Sequence, residues 1–393
     1  MLHWFAIVTG LLLALITLPG TIELALLTVA GILPSRAAGP GANGRDVTIR
    51  KLGVVIPAHN EAQSIASCVR GVAACAPPPG IAVAIVVVAD NCSDATAALA
   101  RAVGARVIER IDTTRRGKGF ALHYAFTQLL GEGFDAMLIV DADSRLEANA
   151  IVAVAQKLGA GADGVQIPYL VLNADASIRV RLMNIALMAF HRLRPRGRER
   201  LGLSVGIFGN GFALSRATLE AVPYDAHSVV EDLEYHLRLV ESGRRIGFAE
   251  RTAVYGAMPT GGRGARTQRA RWEGGRLRMI TEHAPALARA VLRGRHLLLE
   301  PLLELLLLPL AFHVTLLIAT LIVPFEPTRL YASVALLLVT LHVVAGIIVG
   351  GGGRRDFIAL LAAPFYIVWK LANLGAIVRT ASGIAEWIRT ARE

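Results

Sequence analysis

The sequence predicts a doubly wound α/β domain carried between apolar helices, and three observations predict it. Short apolar runs alternate with helical segments from Lys51 to Val140, polar clusters fall where those runs end, and long apolar stretches lie on either side. Alternation of this kind builds a largely parallel sheet, and such sheets bind ligands outside the carboxyl ends of their strands.

Composition agrees. Of 393 residues, 54% are hydrophobic, and the mean hydropathy is +0.52. That is too apolar for an ordinary soluble enzyme and too interrupted for an all-membrane transporter, so a globular domain with membrane segments fits both facts. Lys and Arg number 41 against 30 Asp and Glu, a net charge of +11. Anionic headgroups and a nucleotide diphosphate suit that balance. Nucleic acid does not, because the arginines lie beside apolar runs and no nucleic-acid motif occurs. Cys68, Cys75 and Cys92 lack metal spacing and read as buried, reduced thiols of a cytoplasmic domain.

Taken in order, Trp4 to Leu33 is apolar apart from Glu23 and exceeds the roughly 20 residues a membrane helix needs. Its lack of a basic start and its length favour an anchor over a cleaved signal peptide. Glu23 reads as an interfacial or snorkelling acid, or as a functional one inside the membrane. Pro34 to Asp46 is a Gly/Pro/Ala linker. The strands Leu52 to Ile56, Ile81 to Ala89, Arg106 to Glu109 and Met137 to Val140 follow, with helices from about Ala62, Asp94 and Gly117. Arg179 to Arg200 holds seven arginines around an apolar centre, which suits a membrane surface, the rim of an anionic site or a solvated helix. Beyond Arg295, Pro301 to Val323 and Leu330 to Val349 are long enough to span, joined by Phe325 to Arg329. A span over Phe357 to Val378 would carry Arg379, Arg389 and Arg392 away from the catalytic domain, against the cytoplasmic preference of basic residues. A re-entrant or interfacial helix is therefore expected there. The resulting division is an anchor at 1–34, a linker at 35–50, a catalytic domain at 51–295, two membrane helices at 296–350, and an interfacial helix with a basic cytoplasmic tail at 351–393. It places the N-terminus outside an inner membrane crossed three times.

The chemistry concentrates at strand ends. Asp141 and Asp143 close the run Met137 to Val140; in an extended chain, alternate side chains share a side. Two convergent carboxylates suit a hard cation such as Mg²⁺ or Mn²⁺ that also holds a diphosphate. Asn60 with Glu61, and Asp90 with Asn91, fall at two other strand ends. Gly209 to Ser215 supplies a glycine turn, Glu231 and Asp232 open a helix, and Gln268 to Trp272 reads Q-R-A-R-W. His59, His227 and His283 belong to no zinc-spaced cluster. Ser144 and Ser215 lack a nucleophile's context, and no G-x-G-x-x-G follows the first strand, which disfavours a dehydrogenase.

In order, VVIPAHNEA (Val54 to Ala62), VADNCSD (Val88 to Asp94), RGKGFAL (Arg116 to Leu122), DADS (Asp141 to Ser144), GNGFALS, VED (Val230 to Asp232) and QRARW resemble the family 2 glycosyltransferases. Within them the likeness is to the membrane-bound branch that includes cellulose synthase, hyaluronan synthase and ceramide glucosyltransferase. The resemblance covers about Leu52 to Ile280 and implies a GT-A-like domain. It matches Pro57, Asn60 and Glu61 to the substrate-binding loop after the first strand, Asp90 to the contact with the nucleoside, and Lys118 to the basic residue near the diphosphate. Asp141 and Asp143 would bind the nucleotide sugar through a divalent metal, Asp232 would be the catalytic base with Glu231 beside it, and Gln268, Arg271 and Trp272 would hold the diphosphate and shape the acceptor mouth. Asn210 and Gly211 lie in the glycine turn that approaches the substrate. The implied reaction is an inverting transfer from a nucleotide sugar, expected to be UDP-linked, to a membrane lipid or membrane-presented glycan. Two other readings stay open: a processive exopolysaccharide synthase, and a membrane-tethered nucleotide-sugar binding module without catalysis.

Overall fold

A computed structural model of the chain describes residues 1–33, 47–228, 230–260 and 262–372. Among them, ten strands form two sheets: β1 (Lys51–Ala58), β2 (Ala82–Asp90), β3 (Arg106–Arg110), β4 (Ala136–Ile139), β5 (Ser144–Leu146), β6 (Gly164–Gln166), β7 (Tyr169–Val171), β8 (Phe212–Ser215), β9 (Ile246–Phe248) and β10 (Val254–Gly256). The larger runs β3-β2-β1-β4-β8-β6-β9, and the smaller runs β5-β10-β7.

β3, β2, β1 and β4 are parallel, as the alternation of strands and helices predicts. The inner strands β1 and β4 are buried on two faces, while the edge strand β3 exposes Arg106 and Glu109. On β1, Leu52, Val54 and Ile56 enter one apolar core, while Val55 enters the core on the opposite face, the period-two pattern of a sheet covered on both sides. The sheet departs from a purely parallel one at β8, which is antiparallel to both β4 and β6. It is the F-A-L-S half of the glycine turn, so the turn is the entrance to a central strand.

Among the described residues, two helices are long and apolar enough to cross a membrane, Leu2–Ile32 and Glu326–Val349. At 1.5 Å per residue the first reaches about 46 Å, well beyond a hydrocarbon core of about 30 Å. The segment Pro301 to Val323, expected as a span, is not one continuous helix. Helices His296–Leu306 and Leu310–Ile322 meet at 81°, and Pro309 explains the break: it lacks an N–H and disfavours helical backbone in the residue before it. The tight connection lies at Val323 to Phe325, and the next helix already starts at Glu326. Arg354–Ala359 and Ala363–Ala372 are short helices. Linker residues 34–46 and the tail 373–393 lie outside the described residues.

Leu2–Ile32 packs against helix Arg194–Leu201 at close range. A Cβ on Gly197 would stand 2.6 Å from the Leu27 carbonyl oxygen, and one on Gly31 2.5 Å from that of Leu193. Glu23 neither snorkels nor reaches an interface. It is 2% exposed and accepts from the Arg198 guanidinium at 2.8 Å, because a carboxylate that far along an apolar helix needs a buried partner. The arginine-rich segment accordingly divides: Arg194 and Arg198 are buried, while Arg200 is not.

Candidate active site

Three loops at the carboxyl edge of the parallel strands build one wall. The exits of β1 and β2 turn through Asn60 and Asn91, both in the left-handed region with φ of 55° and 51°, which short amide side chains tolerate better than most. Asn60 Oδ1 accepts from the Ser93 backbone N–H at 2.8 Å and ties the two loops together. Asp90, the last residue of β2, is held from β3: Arg110 Nη1 donates to its Oδ1 at 2.6 Å, and both side chains are 8% exposed. Arg110 is fixed in turn by Asp112 and the Arg115 carbonyl.

The third loop follows β4. Asp141 and Asp143 share a side through a turn closed by Ser144 N–H to Asp141 O at 3.0 Å, not through the pleat of an extended strand. Asn210 Oδ1 accepts the Asp141 backbone N–H at 3.1 Å, and its Nδ2 donates to Ser144 Oγ at 2.8 Å. Gln166 holds the glycine turn from the other side, donating to the Asn210 carbonyl oxygen at 2.8 Å and accepting the Phe208 N–H at 3.0 Å. Gly211 has φ +67°, and a Cβ there would lie 2.5 Å from Val254, so only glycine fits. The Lys118 ammonium contacts both the Asp141 carboxylate and the Gly209 carbonyl oxygen. Burial works against its charge, but Asp141, Glu231 and Asp232 outweigh burial and raise its pKa.

Glu231 and Asp232 open helix Glu231–Glu241. Burial raises both carboxyls; for Glu231, with Asp232 beside it as the second cause, the pKa reaches about 7. Acids at a helix start are favoured by the dipole, yet here desolvation wins. Gln268, Arg271 and Trp272 lie on the long helix Gly262–Leu292, where Trp272 packs against the apolar cluster around Val171 and Met258.

These elements enclose one cavity of about 1230 Å³ lined by Pro57, Glu61, Asp90, Lys118, Asp141, Asp143, Glu231, Asp232, Gln268, Arg271 and Trp272. Asn60, Asn210 and Gly211 do not line it; they stand behind it and hold its loops. His59, which belongs to no zinc-spaced cluster, does line it and is hydrogen-bonded to the Asp90 carbonyl oxygen at 2.8 Å. The motifs miss Tyr169, Phe208 and His191, whose rings stack in the cavity wall. They also miss Arg194, Arg276 and Glu304 at its far end. No fixed spacing joins these residues, and a charged residue in an arginine-rich run carries no separate mark. Asp141 and Asp143 offer hard oxygen donors fit for Mg²⁺ or Mn²⁺, although among the described residues no cluster of three ligating side chains forms. Such an ion would draw its remaining ligands from phosphate and water.

A mixed sheet with carboxylates gathered at the parallel strand ends, closed by an acid-led helix, defines a GT-A-like nucleotide-sugar fold. A family model described as glycosyltransferase-like family 2 matches residues 50–275, more than half of the chain, and the chain belongs to that family. It is 27% identical over 234 residues to the probable glycosyltransferase YdaM of Bacillus subtilis, covering 57% of this chain and 55% of that protein. It is also 27% identical over 158 residues to a probable glycosyltransferase of Sulfolobus acidocaldarius, covering 39% of this chain and 33% of that one. The chain thus spans about half, or less, of the length of these curated relatives. Among solved structures, the mannosyltransferase PcManGT of Pyrobaculum calidifontis, in complex with GDP-Man and Mn²⁺, superimposes with a TM-score of 0.58 at 18% identity, over 97% of this chain and 99% of that one. At that identity the likeness is one of fold.

Proposed function

We propose that the protein is an inverting glycosyltransferase that moves one sugar from a nucleoside diphosphate sugar to a hydroxyl of a membrane lipid or membrane-presented glycan. The carrying observation is the continuity of the cavity. It runs from Asp90 past Asp141, Asp143 and Asp232 to Leu24 and Val343, which belong to the apolar helices Leu2–Ile32 and Glu326–Val349, and to Leu307 at the break between the bent pair. A donor site that opens onto membrane helices serves an acceptor delivered from the membrane.

In this reading Asp90, set by Arg110, receives the nucleoside, and Lys118 with Arg271 faces the diphosphate. Asp141 and Asp143 would hold Mg²⁺ or Mn²⁺, whose chemistry is to neutralise the departing diphosphate. Asp232 takes the proton of the acceptor hydroxyl, and burial raises its pKa above the usual carboxylate value, the direction that strengthens a general base. The acceptor oxygen bonds to the anomeric carbon as the diphosphate oxygen leaves, so one displacement inverts that centre. The chain sits in the membrane by Leu2–Ile32, by the bent pair His296–Leu306 and Leu310–Ile322 taken as one span, and by Glu326–Val349, with the catalytic domain cytoplasmic and the N-terminus outside, in the inner membrane. It belongs to the membrane-bound branch of its family.

A processive synthase is the second reading, but it must thread its polymer through a channel of protein-lined helices. The described residues offer two candidate spans, or three if the bent pair counts as one. The test is turnover of a panel of nucleotide sugars, UDP-linked donors first, by purified protein in detergent with added membrane lipid. Release of nucleoside diphosphate with one sugar on each acceptor is expected; long products would favour the synthase, and no release with any donor would favour a binding module.

A further inference from the structure

Between the donor end of the cavity and the membrane helices stands a histidine that the proposed transfer leaves without work. Helix Ile178–Met188 does not run straight into helix Arg194–Leu201; between them Ala189–Leu193 is a turn of π-helix. Pro195 accounts for it, having no N–H for the carbonyl of His191 four residues earlier and crowding that carbonyl with its ring. Such turns are rare and fall mostly at functional sites. Here the turn is pressed against the membrane helix Glu326–Val349, where a Cβ on Gly346 would stand 2.7 Å from that of Ala189, and His191, two residues on, lines the cavity.

The His191 ring is covered except at one edge. Its Nδ1 lies 2.8 Å from the Tyr169 carbonyl oxygen; that oxygen can only accept, so Nδ1 carries the proton and Nε2 a lone pair. The ring stacks on Phe208 at 4.3 Å and on Tyr169 at 5.6 Å, and Phe190 meets it edge-on at 5.1 Å. Among the described residues Nε2 has no hydrogen-bond partner, and its edge is the part of the ring left to the cavity. Burial presses the His191 pKa down to about 4, so the imidazole is neutral at neutral pH. Its stacking partners fix its place. Burial, and then the carboxylates of Asp141 and Asp143, raise the Tyr169 pKa, which sets that ring beside the two-aspartate turn. Phe208 precedes Gly209, where a Cβ would lie 3.0 Å from Asp232 Oδ2.

Resting on the transfer proposed above, we infer that His191 selects and orients the acceptor, its Nε2 accepting a hydrogen bond from a hydroxyl next to the one that Asp232 deprotonates. The acceptor head therefore carries at least two neighbouring hydroxyls, as a sugar or a polyol does. A lipid with a single hydroxyl leaves the lone pair unanswered, and a site built to bond a hydroxyl rejects the analogue that lacks it. The segment that carries His191 packs on a membrane helix, so the residue meets what arrives from the membrane and not the donor held at Asp90. His191 is a positioning residue and moves no proton. The acceptor oxygen bonds to the anomeric carbon, its proton passes to Asp232, and the diphosphate oxygen leaves.

The experiment uses the full chain in a detergent without hydroxyls and measures equilibrium binding of two probes by native mass spectrometry. One is the dodecyl ether of glycerol, with two neighbouring hydroxyls; the other is the matching propanediol ether, which lacks the middle hydroxyl. Wild type should bind the first about fivefold more tightly, the share of one hydrogen bond. His191→Asn keeps an amide N–H for the Tyr169 carbonyl and carries nothing at the Nε2 position, so the preference should vanish while affinity for the propanediol ether stays. His191→Gln brings an amide oxygen to that position and should restore part of the preference. A damaged fold would instead weaken both probes together and lower the thermal midpoint, and the wild-type comparison then decides alone. Equal binding of the two ethers by wild type, or an undiminished preference in a folded His191→Asn, overturns the inference. Weakened binding of the donor found by the nucleotide-sugar panel, with the preference intact, puts Nε2 on the donor sugar and overturns it as well. Wild-type protein that binds no nucleoside diphosphate overturns the transferase reading itself, and is read separately from the two ethers.

Discussion

Asn210, on the glycine turn before β8, accepts the backbone N–H of Asp141 at 3.1 Å while donating to Ser144 at 2.8 Å, so a fully buried amide clamps the two-aspartate turn from behind. Asn210→Ala leaves a buried N–H and a hydroxyl without partners, at a cost of about 1–3 kcal/mol for each group left unpaired. Thermal unfolding should shift down, and nucleotide affinity measured by calorimetry should weaken with it. An unaltered thermal midpoint with lost binding would make Asn210 a direct substrate contact.

Asp143 tests the cation. Its carboxylate lines the cavity with Asp141, while the neighbouring Lys118 is engaged by Asp141. Asp143→Asn should keep the fold and reduce Mn²⁺-supported nucleotide affinity by about tenfold or more. Calorimetry that finds the same affinity, with and without Mn²⁺, in variant and wild type would take the metal away from this pair.

Most of the sheet edge is legible in the sequence because strand ends mark themselves: an apolar run stops at Asp90 or before Asp141, and the polar residue falls where ligands bind. Apolar length alone does not report helix geometry, so the run Pro301 to Val323 conceals the bend that Pro309 imposes. The buried partners of Glu23 are equally hidden. Arg194 and Arg198 reach it from helix Arg194–Leu201 across 170 or so residues of chain, and the arginine-rich pattern alone does not single them out from neighbours at a surface or a site rim. Gly209 to Ser215 reads as a turn near substrate, whereas Asn210 and Gly211 act on the loops behind it, since the sequence gives spacing and not depth.

Orientation can be examined with cysteine probes in a background lacking Cys68, Cys75 and Cys92. A probe at Glu326, which is exposed at the start of helix Glu326–Val349, should react with an impermeant reagent applied to intact cells. A probe at Arg115, exposed on the catalytic domain, should react only after lysis. The opposite pattern would invert the topology.

The sharpest prediction concerns Asp232. A carboxylate that merely complements the helix dipole contributes under about 1 kcal/mol, whereas loss of a general base slows chemistry by roughly 10²- to 10⁴-fold. Asp232→Asn should therefore bind donor and unfold like wild type while transfer at saturating donor and acceptor falls by that range. The acid pair also fixes the pH dependence. Burial raises both carboxyls, Glu231 to about 7 with Asp232 as a further cause, so the base gains its charge only as pH climbs, and kcat/KM should rise with pH and level above neutrality. The apparent pKa belongs to the coupled pair. Stability runs the other way: the folded protein holds this proton more tightly than the unfolded chain, so the contribution of Glu231 falls as pH rises from about 4.5 towards 7. Near-normal turnover in Asp232→Asn, with the acid limb of the profile intact, would move the base to Glu231, and Glu231→Gln would then carry the rate loss instead.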